Sequence, residues 1–296
     1  MSGDPSLNEP VGLRRILERG RDFLRFIRFS HTVFAMPFAL GAMIVAAEGI
    51  PNLRILGLAV LAMIFARTSA MTFNRLADWS MDLRNPRTAG RHRLASRTVA
   101  TGVCGASALL FLGTAALINP LCFLLSPVAL GIVFFYSLTK RFTHGAQFFL
   151  GLALSVAPVG GWLAVRGSLA WPPLVLAGAV LLWVAGFDMV YAMQDVVVDR
   201  REGLHSMVVA LGIPRARQWA VALHGMAWVG LLAFGGLAGL QAPYFGGMLL
   251  IAGVLIGEHR LARRGDVASI NAAFFQANAL VGLLFVLSTL ADQILR

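Results

Sequence analysis

Uninterrupted apolar blocks, rather than an alternation of apolar and polar positions, organise this chain. Nine of them can be marked, at residues 31–47, 55–73, 98–118, 120–139, 146–165, 171–194, 217–237, 241–257 and 271–291. Blocks of 17 to 24 residues match the ~20 residues that an α-helix needs to cross the hydrocarbon core of a bilayer. Backbone in lipid must satisfy its own hydrogen bonds, and a helix does so within one segment. The pattern therefore predicts an all-α integral membrane protein with nine transmembrane helices. Residues 10–28 differ. Leu13, Ile16, Leu17, Phe23, Leu24 and Ile27 recur there at helical spacing, with Arg14, Arg21, Arg25 and Arg28 between them, which predicts an amphipathic helix lying on the membrane surface. Val45-Ala46-Ala47 resembles a signal-peptide cleavage site, but the basic lead before it is too long for one.

Composition agrees. The 296-residue chain is 58% hydrophobic and only 13% charged, with a mean hydropathy of +0.75, against about 25% charged in soluble domains. A soluble enzyme, a disordered tail and a disulfide-stapled secreted domain are all excluded. The net charge of +11 would suggest nucleic acid in a soluble protein. In a membrane protein the placement of the charges carries the information, and no nucleic-acid partner is expected.

Of the 25 basic residues, 21 fall on the N-terminal lead, the connections after the second, fourth, sixth and eighth blocks, and the edge position Arg217. Three fall on the intervening connections and Arg67 lies inside the second block. The positive-inside rule then puts the N-terminus in the cytoplasm and the C-terminus outside a cell (inner) membrane.

Acidic residues number fourteen, and two clusters of them stand at the cytoplasmic ends of the second and sixth helices. Asn74, Asp78 and Asp82 are spaced by four, so on a helix they line one face at ~6 Å intervals. Asp188, Tyr191, Asp195 and Asp199 form a second such stripe. Asn74, Asp78 and Asp82 precede Tyr191, Asp195 and Asp199 by 117 residues. The two helices point the same way, which predicts a parallel repeat with one acidic motif from each half facing a shared cavity. The chain then divides into a lead at 1–30, helices 1–4 at 31–145 and helices 5–9 at 146–296.

Like charges at this spacing repel on a bare helix, so something positive should sit between the stripes. Salt bridges from Arg75, Arg84, Arg87, Arg91, Arg200 and Arg201 are one answer. A divalent cation is the other: hard carboxylate oxygens on facing helices suit Mg²⁺, which keeps waters and is completed by phosphate oxygens, while guanidinium groups hold the anion. Lys140, the chain's one lysine, ends the fourth helix four residues after Tyr136 and beside Arg141. It is either a basic helix end that satisfies the dipole or a phosphate contact. Arg67, seven residues before Asn74 and near its face, is a site candidate because an arginine within a membrane helix is costly.

Other candidates are weaker. The histidines at 31, 92, 144, 205, 224 and 259 show no metal-ligand spacing and read as mostly interfacial. Cys104 and Cys122 read as packed core thiols. Gly160-Gly161 and Gly246-Gly247 read as close helix packing. There is no P-loop, dinucleotide fingerprint or nucleophile elbow.

Taken in order, Asn74-x3-Asp78-x3-Asp82, Tyr136-x3-Lys140-Arg141 and Asp188-x2-Tyr191-Ala192-x2-Asp195-x3-Asp199 resemble the UbiA superfamily of membrane aromatic prenyltransferases. The resemblance covers nearly the whole chain. It implies a ring-like bundle around a cavity open sideways to lipid, under a cap built from the 74–97 and 195–216 connections. It further implies that Asn74, Asp78, Asp82, Asp195 and Asp199 bind Mg²⁺ and, through it, the diphosphate of a polyprenyl donor. Lys140, Arg141, Tyr136, Arg87 and Arg91 would hold phosphate oxygens, and Arg67 and Tyr191 a small aromatic acceptor. Asp188, Asp195 and Lys140 would act in the chemistry, with Asp188 placed to deprotonate or orient the acceptor phenol. Members acting on 4-hydroxybenzoate commonly carry Asn-Asp where this chain has Asn74-Arg75. The run from Asn85 to Arg91, the Tyr136–Thr143 stretch and the Asp199–Ser206 stretch resemble instead the branch that prenylates a dihydroxynaphthoate for menaquinone. A secondary transporter is the rival from another class, but it would place its charges near the bilayer midplane. A metal-dependent membrane phosphatase lacks an evident nucleophile or histidine pair.

Overall fold

The computed structural model describes residues 21–23, 26, 34–84, 88, 90 and 94–296. Among them the chain is helical throughout, with no strand. The long helices are α1 (Met36–Ala47), α2 (Leu53–Ala77), α4 (Arg97–Ile118), α5 (Pro120–Thr139), α6 (Ala146–Arg166), α7 (Trp171–Ala192), α10 (Ile213–Leu237), α11 (Ala242–Ala262) and α12 (Val267–Leu295). Three short helices, α3 (Trp79–Arg84), α8 (Val196–Arg201) and α9 (Met207–Leu211), lie in the connections at the motif-bearing end. Eight of the described helices are long and apolar enough to cross a membrane, and α1, at 12 residues, is a shorter apolar ninth.

Local chemistry sets the helix starts. Asn52, Ser96 and Asn119 each accept a hydrogen bond from a backbone N–H of the first turn, which satisfies a donor that the helix itself leaves unpaired. Asn119 also donates its side-chain amide to the Leu163 carbonyl at 2.8 Å, tying the α4–α5 turn to α6. Proline opens α5, α7, α10 and α11, where its missing N–H costs nothing.

The helices form two connected groups. In the first, α1 packs on α6 and α12, α6 on α7, α7 on α10, α10 on α11, and α11 on α12, which closes a ring of six. The second consists of α2, α4 and α5, which pack on one another and join the ring through α6. Inside the ring the core is aromatic: the Phe38 ring lies 4.9 Å from Trp183 and 4.8 Å from Phe285, and Tyr244 donates its hydroxyl to the Leu231 carbonyl. Helix contact in a bilayer rests on close packing more than on water exclusion. Of the two expected glycine pairs one member each meets that need: a Cβ at Gly161 would strike the Ala39 backbone of α1, and one at Gly247 would strike Ser288, whereas Gly160 and Gly246 have open space. Leu109, Leu124 and Leu249 point outward and are exposed, as lipid-facing residues should be.

Several boundaries differ from the sequence expectation. Among the described residues the helix of the first block is Met36–Ala47, the seventh helix starts at Ile213, and the eighth runs on to Ala262. The last helix is interrupted by a π-turn at Ala273–Ala277. Most of the amphipathic lead lies outside the described residues. Its Phe26 is 2% exposed and packs beside Ala100, Met71 and Trp79.

Candidate active site at the acidic ends of two helices

Each acidic stripe leaves its long helix before its end, with Asp78 and Asp195 at the break, which corrects the expectation of one continuous helical face. Helix α2 stops at Ala77, Asp78 forms its C-cap outside helical geometry (φ −90°, ψ 10°), and Asp82 sits on α3. Helix α7 stops at Ala192, Asp195 forms the N-cap of α8, and Asp199 lies in the first turn of α8. The physical reason is shared. Aspartate is a poor interior helix residue, and these segments leave the apolar layer where the run of packing residues ends. Backbone pairing nevertheless carries through the turns: Asp82 N–H donates to the Asp78 carbonyl and Asp199 N–H to the Asp195 carbonyl, both at 2.8 Å. The two turning points are 117 residues apart, the same offset as the motifs.

Basic groups meet the first stripe. Asp78 is 3% exposed. Its Oδ2 lies 2.7 Å from Lys140 Nζ, and its Oδ1 lies 3.6 Å from Arg141 Nη2. Lys140 is the C-cap of α5, so the end of that helix delivers both cations to the end of α2. Arg141 Nη2 also donates to the Ala77 carbonyl. Arg75 Nη1 lies 3.5 Å from Asp82 Oδ2, and its Nε donates to the Phe26 carbonyl. The two connections meet above: Arg84 Nε donates to Glu202 Oε2 at 3.1 Å, and the His205 N–H donates to the Lys140 carbonyl at 2.8 Å. Salt bridging of the first stripe by Arg75, one of the two answers the sequence left open, is thus present, whereas Arg84 pairs with Glu202 outside the stripes. Arg87 and Arg91 lie outside the described residues.

Below this mouth is a cavity of about 650 Å³. Its polar end is lined by Arg67, Asn74 and Arg75 of α2, Tyr136 of α5, and Asp188 and Tyr191 of α7. Five of these were sequence candidates. The Asp188 carboxylate stands in the combined field of Asp195 and Asp199, with Lys140 as the opposing charge. Tyr136 stands in the electrostatic field of Asp188 and Asp78, opposed by Arg75 and Arg67. Arg67 Nε is buried and makes no hydrogen bond among the described residues. Beyond this end the wall is largely apolar, with larger side chains such as Phe111, Leu125 and Ile132 beside small ones. Ala59, Ala62 and Ala66 line it along α2, and the fifteen helical steps from Ala59 to Asn74 rise about 22 Å.

Some participants were not legible beforehand. Phe274, which no motif marked, closes the wall beside Tyr191 at a ring separation of 4.4 Å, and Arg75, expected as a salt-bridge partner and as the departure from the hydroxybenzoate motif, lines the cavity as well as pairing with Asp82. Cys122 lines the apolar end and is only partly buried, whereas Cys104 is packed against Ser69. The expectation of interfacial histidines also needs correction. His144 and His205 meet edge to face in the connections at the motif-bearing end, but His224 is 1% and His259 9% exposed and they pair inside the ring. His31 and His92 lie outside the described residues.

The donor set fits a hard divalent cation in its chemistry: carboxylate and amide oxygens without thiolate, and a buried Asp78 Oδ1 with no hydrogen bond. It is not a closed cage. Among the described residues no three His, Cys, Asp or Glu side chains converge closely enough to ligate an ion by themselves. Such a set suits a cation that brings phosphate oxygens as its remaining ligands.

Comparison with known proteins agrees with this geometry. The model of the UbiA prenyltransferase family matches residues 35–280. A 4-hydroxybenzoate octaprenyltransferase of Nitrosospira multiformis is 34% identical over 238 residues, covering 79% of this chain and 81% of its own. A protein of the same name from Hydrogenovibrio crunogenus is 28% identical over 259 residues, covering 86% and 90%. Among solved structures, the apo form of a UbiA homolog from Aeropyrum pernix K1 superposes with a TM-score of 0.80 at 29% identity, covering 88% of this chain and 98% of that one. A UbiA homolog from Archaeoglobus fulgidus bound to GPP and Mg²⁺ shares the fold, with a TM-score of 0.69 at 21% identity over 92% of this chain and 99% of that one.

Proposed function

The chain belongs to the UbiA prenyltransferase family and is a multi-pass membrane enzyme that transfers prenyl groups; from that premise we propose the substrates, the metal and the roles of the residues at its acidic mouth. The donor is a polyprenyl diphosphate and the acceptor a small phenolic acid that becomes the head of a quinone. The observation that carries this reading is one cavity with two characters. An apolar channel ends at Arg67, Tyr136, Asp188 and Tyr191, directly below the Asp78–Lys140 pair.

In this reading Asn74, Asp78 and Asp82 from the first half (31–145) and Asp195 and Asp199 from the second (146–296) hold Mg²⁺ with the diphosphate. The cation, when bound, screens the charge that grows on the departing diphosphate. Lys140 and Arg141 turn from Asp78 to the phosphate oxygens, joined by Tyr136, Arg87 and Arg91. The allylic C–O bond breaks, leaving a resonance-stabilised carbocation and free diphosphate. The apolar wall keeps water from that cation, and its aromatic rings face it. The acceptor ring then forms the C–C bond, and its displaced ring proton leaves to a base. Asp188, beside Tyr191, is placed to hold the phenol and take a proton. Arg67 receives the acceptor's carboxylate as a charge-assisted pair.

Relatives named for 4-hydroxybenzoate support that acceptor. A second reading, a dihydroxynaphthoate on the way to menaquinone, is favoured by Arg75, which stands inside the cavity where the hydroxybenzoate motif usually has aspartate. The distribution of basic residues supports a cytoplasmic N-terminus and motif face in the inner membrane. The transporter alternative loses support because Asp78, Asp82, Asp195 and Asp199 cluster at one end rather than at mid-depth.

The test is a competition assay in membranes containing the overexpressed protein, with Mg²⁺, a polyprenyl diphosphate and equal 4-hydroxybenzoate and 1,4-dihydroxy-6-naphthoate. Lipid-soluble products are identified by mass. A prenylated hydroxybenzoate supports the first acceptor and a prenylated naphthoate the second. Intact donor with no product from either sinks the reading.

A further inference from the structure

Away from the acidic mouth, four polar side chains from three helices meet inside the ring. They are His224 of α10, Glu258 and His259 of α11, and Asn278 of α12, all buried. His224 Nδ1 lies 3.0 Å from His259 Nε2 and 3.7 Å from Glu258 Oε2, and His224 Nε2 lies 3.1 Å from the Trp183 carbonyl. The Asn278 amide faces the Glu258 carboxyl. Even so, both Glu258 oxygens, His259 Nδ1 and Asn278 Oδ1 are buried without a hydrogen bond among the described residues. Polar groups so placed in a membrane bundle oppose stability, and core filling does not account for them.

Their connections to the cavity do. Asn278 Nδ2 donates to the Phe274 carbonyl at 2.7 Å. Phe274 belongs to the π-turn at Ala273–Ala277, where widened pairing takes a carbonyl away from its regular i→i+4 partner. The Asn278 amide supplies a partner and so fixes the turn. The turn in turn carries the Phe274 ring onto Tyr191 at 4.4 Å, Phe34 at 5.2 Å and Phe187 at 5.4 Å, and all four residues line the cavity beside Asp188. On the other flank, the His224 ring fills the place a Cβ at Gly186 would take, two residues before Asp188. The cluster therefore touches both segments that make this end of the cavity.

We propose that Asn278, Glu258, His224 and His259 are positioning residues that set the width of the acceptor end by holding Phe274 against Tyr191. This rests on the reading of the Tyr191 side as the acceptor subsite. The test is steady-state kinetics of the full-length enzyme in lipid, with whichever aromatic acceptor the unaltered protein prenylates. Asn278→Ala is expected to raise the acceptor KM about tenfold while the donor KM moves less than about twofold. Glu258→Gln, which keeps shape and polarity, stays within about twofold of the unaltered enzyme, whereas Glu258→Leu follows Asn278→Ala. In a Phe274→Ala background, Asn278→Ala adds nothing to the acceptor KM, because both changes act through one contact. Multiplying effects, or a fall in kcat with the acceptor KM unchanged, overturn the proposal. Should Asn278→Ala fail to fold, Phe274→Leu decides alone: an unchanged acceptor KM overturns it. An unaltered enzyme that prenylates no aromatic acceptor removes the proposed function and this inference together, whereas normal transfer with unmoved acceptor KM values removes only the inference.

Discussion

Lys140 Nζ lies 2.7 Å from Asp78 Oδ2, so the cap of one helix neutralises the cap of another across the mouth of the cavity. The pair is asymmetric. The Asp78 side chain is 4% exposed and that of Lys140 38%. The ammonium can therefore turn toward an arriving anion while the carboxylate stays fixed, which frees a carboxylate oxygen when the diphosphate takes the lysine. On that account Lys140→Met lowers kcat/KM for the donor about 100-fold, equivalent to ~2.7 kcal/mol, and Lys140→Arg retains most of it. Equal donor kinetics in Lys140→Met and the unaltered enzyme would remove the lysine from the anion site.

Arg67 lines the polar end of the cavity with a buried Nε that makes no hydrogen bond among the described residues. A hydrogen bond to a charged group contributes ~1.5–3 kcal/mol. Arg67→Ala should thus raise the KM for a carboxylated acceptor by about 10- to 100-fold and leave the donor KM alone. Comparison with the decarboxylated phenol checks the cause: the variant should no longer distinguish the two, and continued preference for the acid assigns the carboxylate to another residue.

Alanines at 59, 62 and 66 keep the channel open along α2. Ala62→Trp inserts an indole about 18 Å of helix rise from Asn74. A geranyl donor should still be transferred, whereas transfer from a long polyprenyl donor falls at least about tenfold. Products resolved by mass from paired donors read this out, and equal losses for both chain lengths would place the long chain elsewhere.

The α1–α6 contact has no room for a side chain at Gly161. Overpacking typically costs ~1–3 kcal/mol, and here the obstacle is the Ala39 backbone rather than a flexible side-chain tip. Gly161→Leu should lower the unfolding temperature in detergent, while the same change at Gly160, which meets nothing within contact distance, should not. Equal effects at both positions would show that the close approach is not what holds α1.

Hydrophobic block length made the long helices legible, since lipid demands continuous helix and punishes interruption. The acidic stripes were legible because charge is rare in this chain. What escaped depends on pairing between distant segments. The block ending at 257 stopped before Glu258 and His259 because those residues break the apolar run, yet α11 continues to Ala262 by burying them against His224 and Asn278. The π-turn at Ala273–Ala277 has no single-sequence signature, and the Asn278 amide that meets the Phe274 carbonyl there is visible only once the helix is built. Equal spacing by four likewise gave no hint that Asp78 and Asp195 sit where the backbone turns. A run of short helical spacing looks the same whether or not the helix continues.

The proposed function requires that acidic residues from both halves act together on one metal–diphosphate. The most direct measurement is prenyl transfer against Mg²⁺ concentration for Asp78→Asn and Asp195→Asn, with membrane insertion verified for each. The account predicts that each variant loses at least about 100-fold in kcat and that any residual activity needs more Mg²⁺. Full transfer by both variants at an unchanged Mg²⁺ requirement would contradict it.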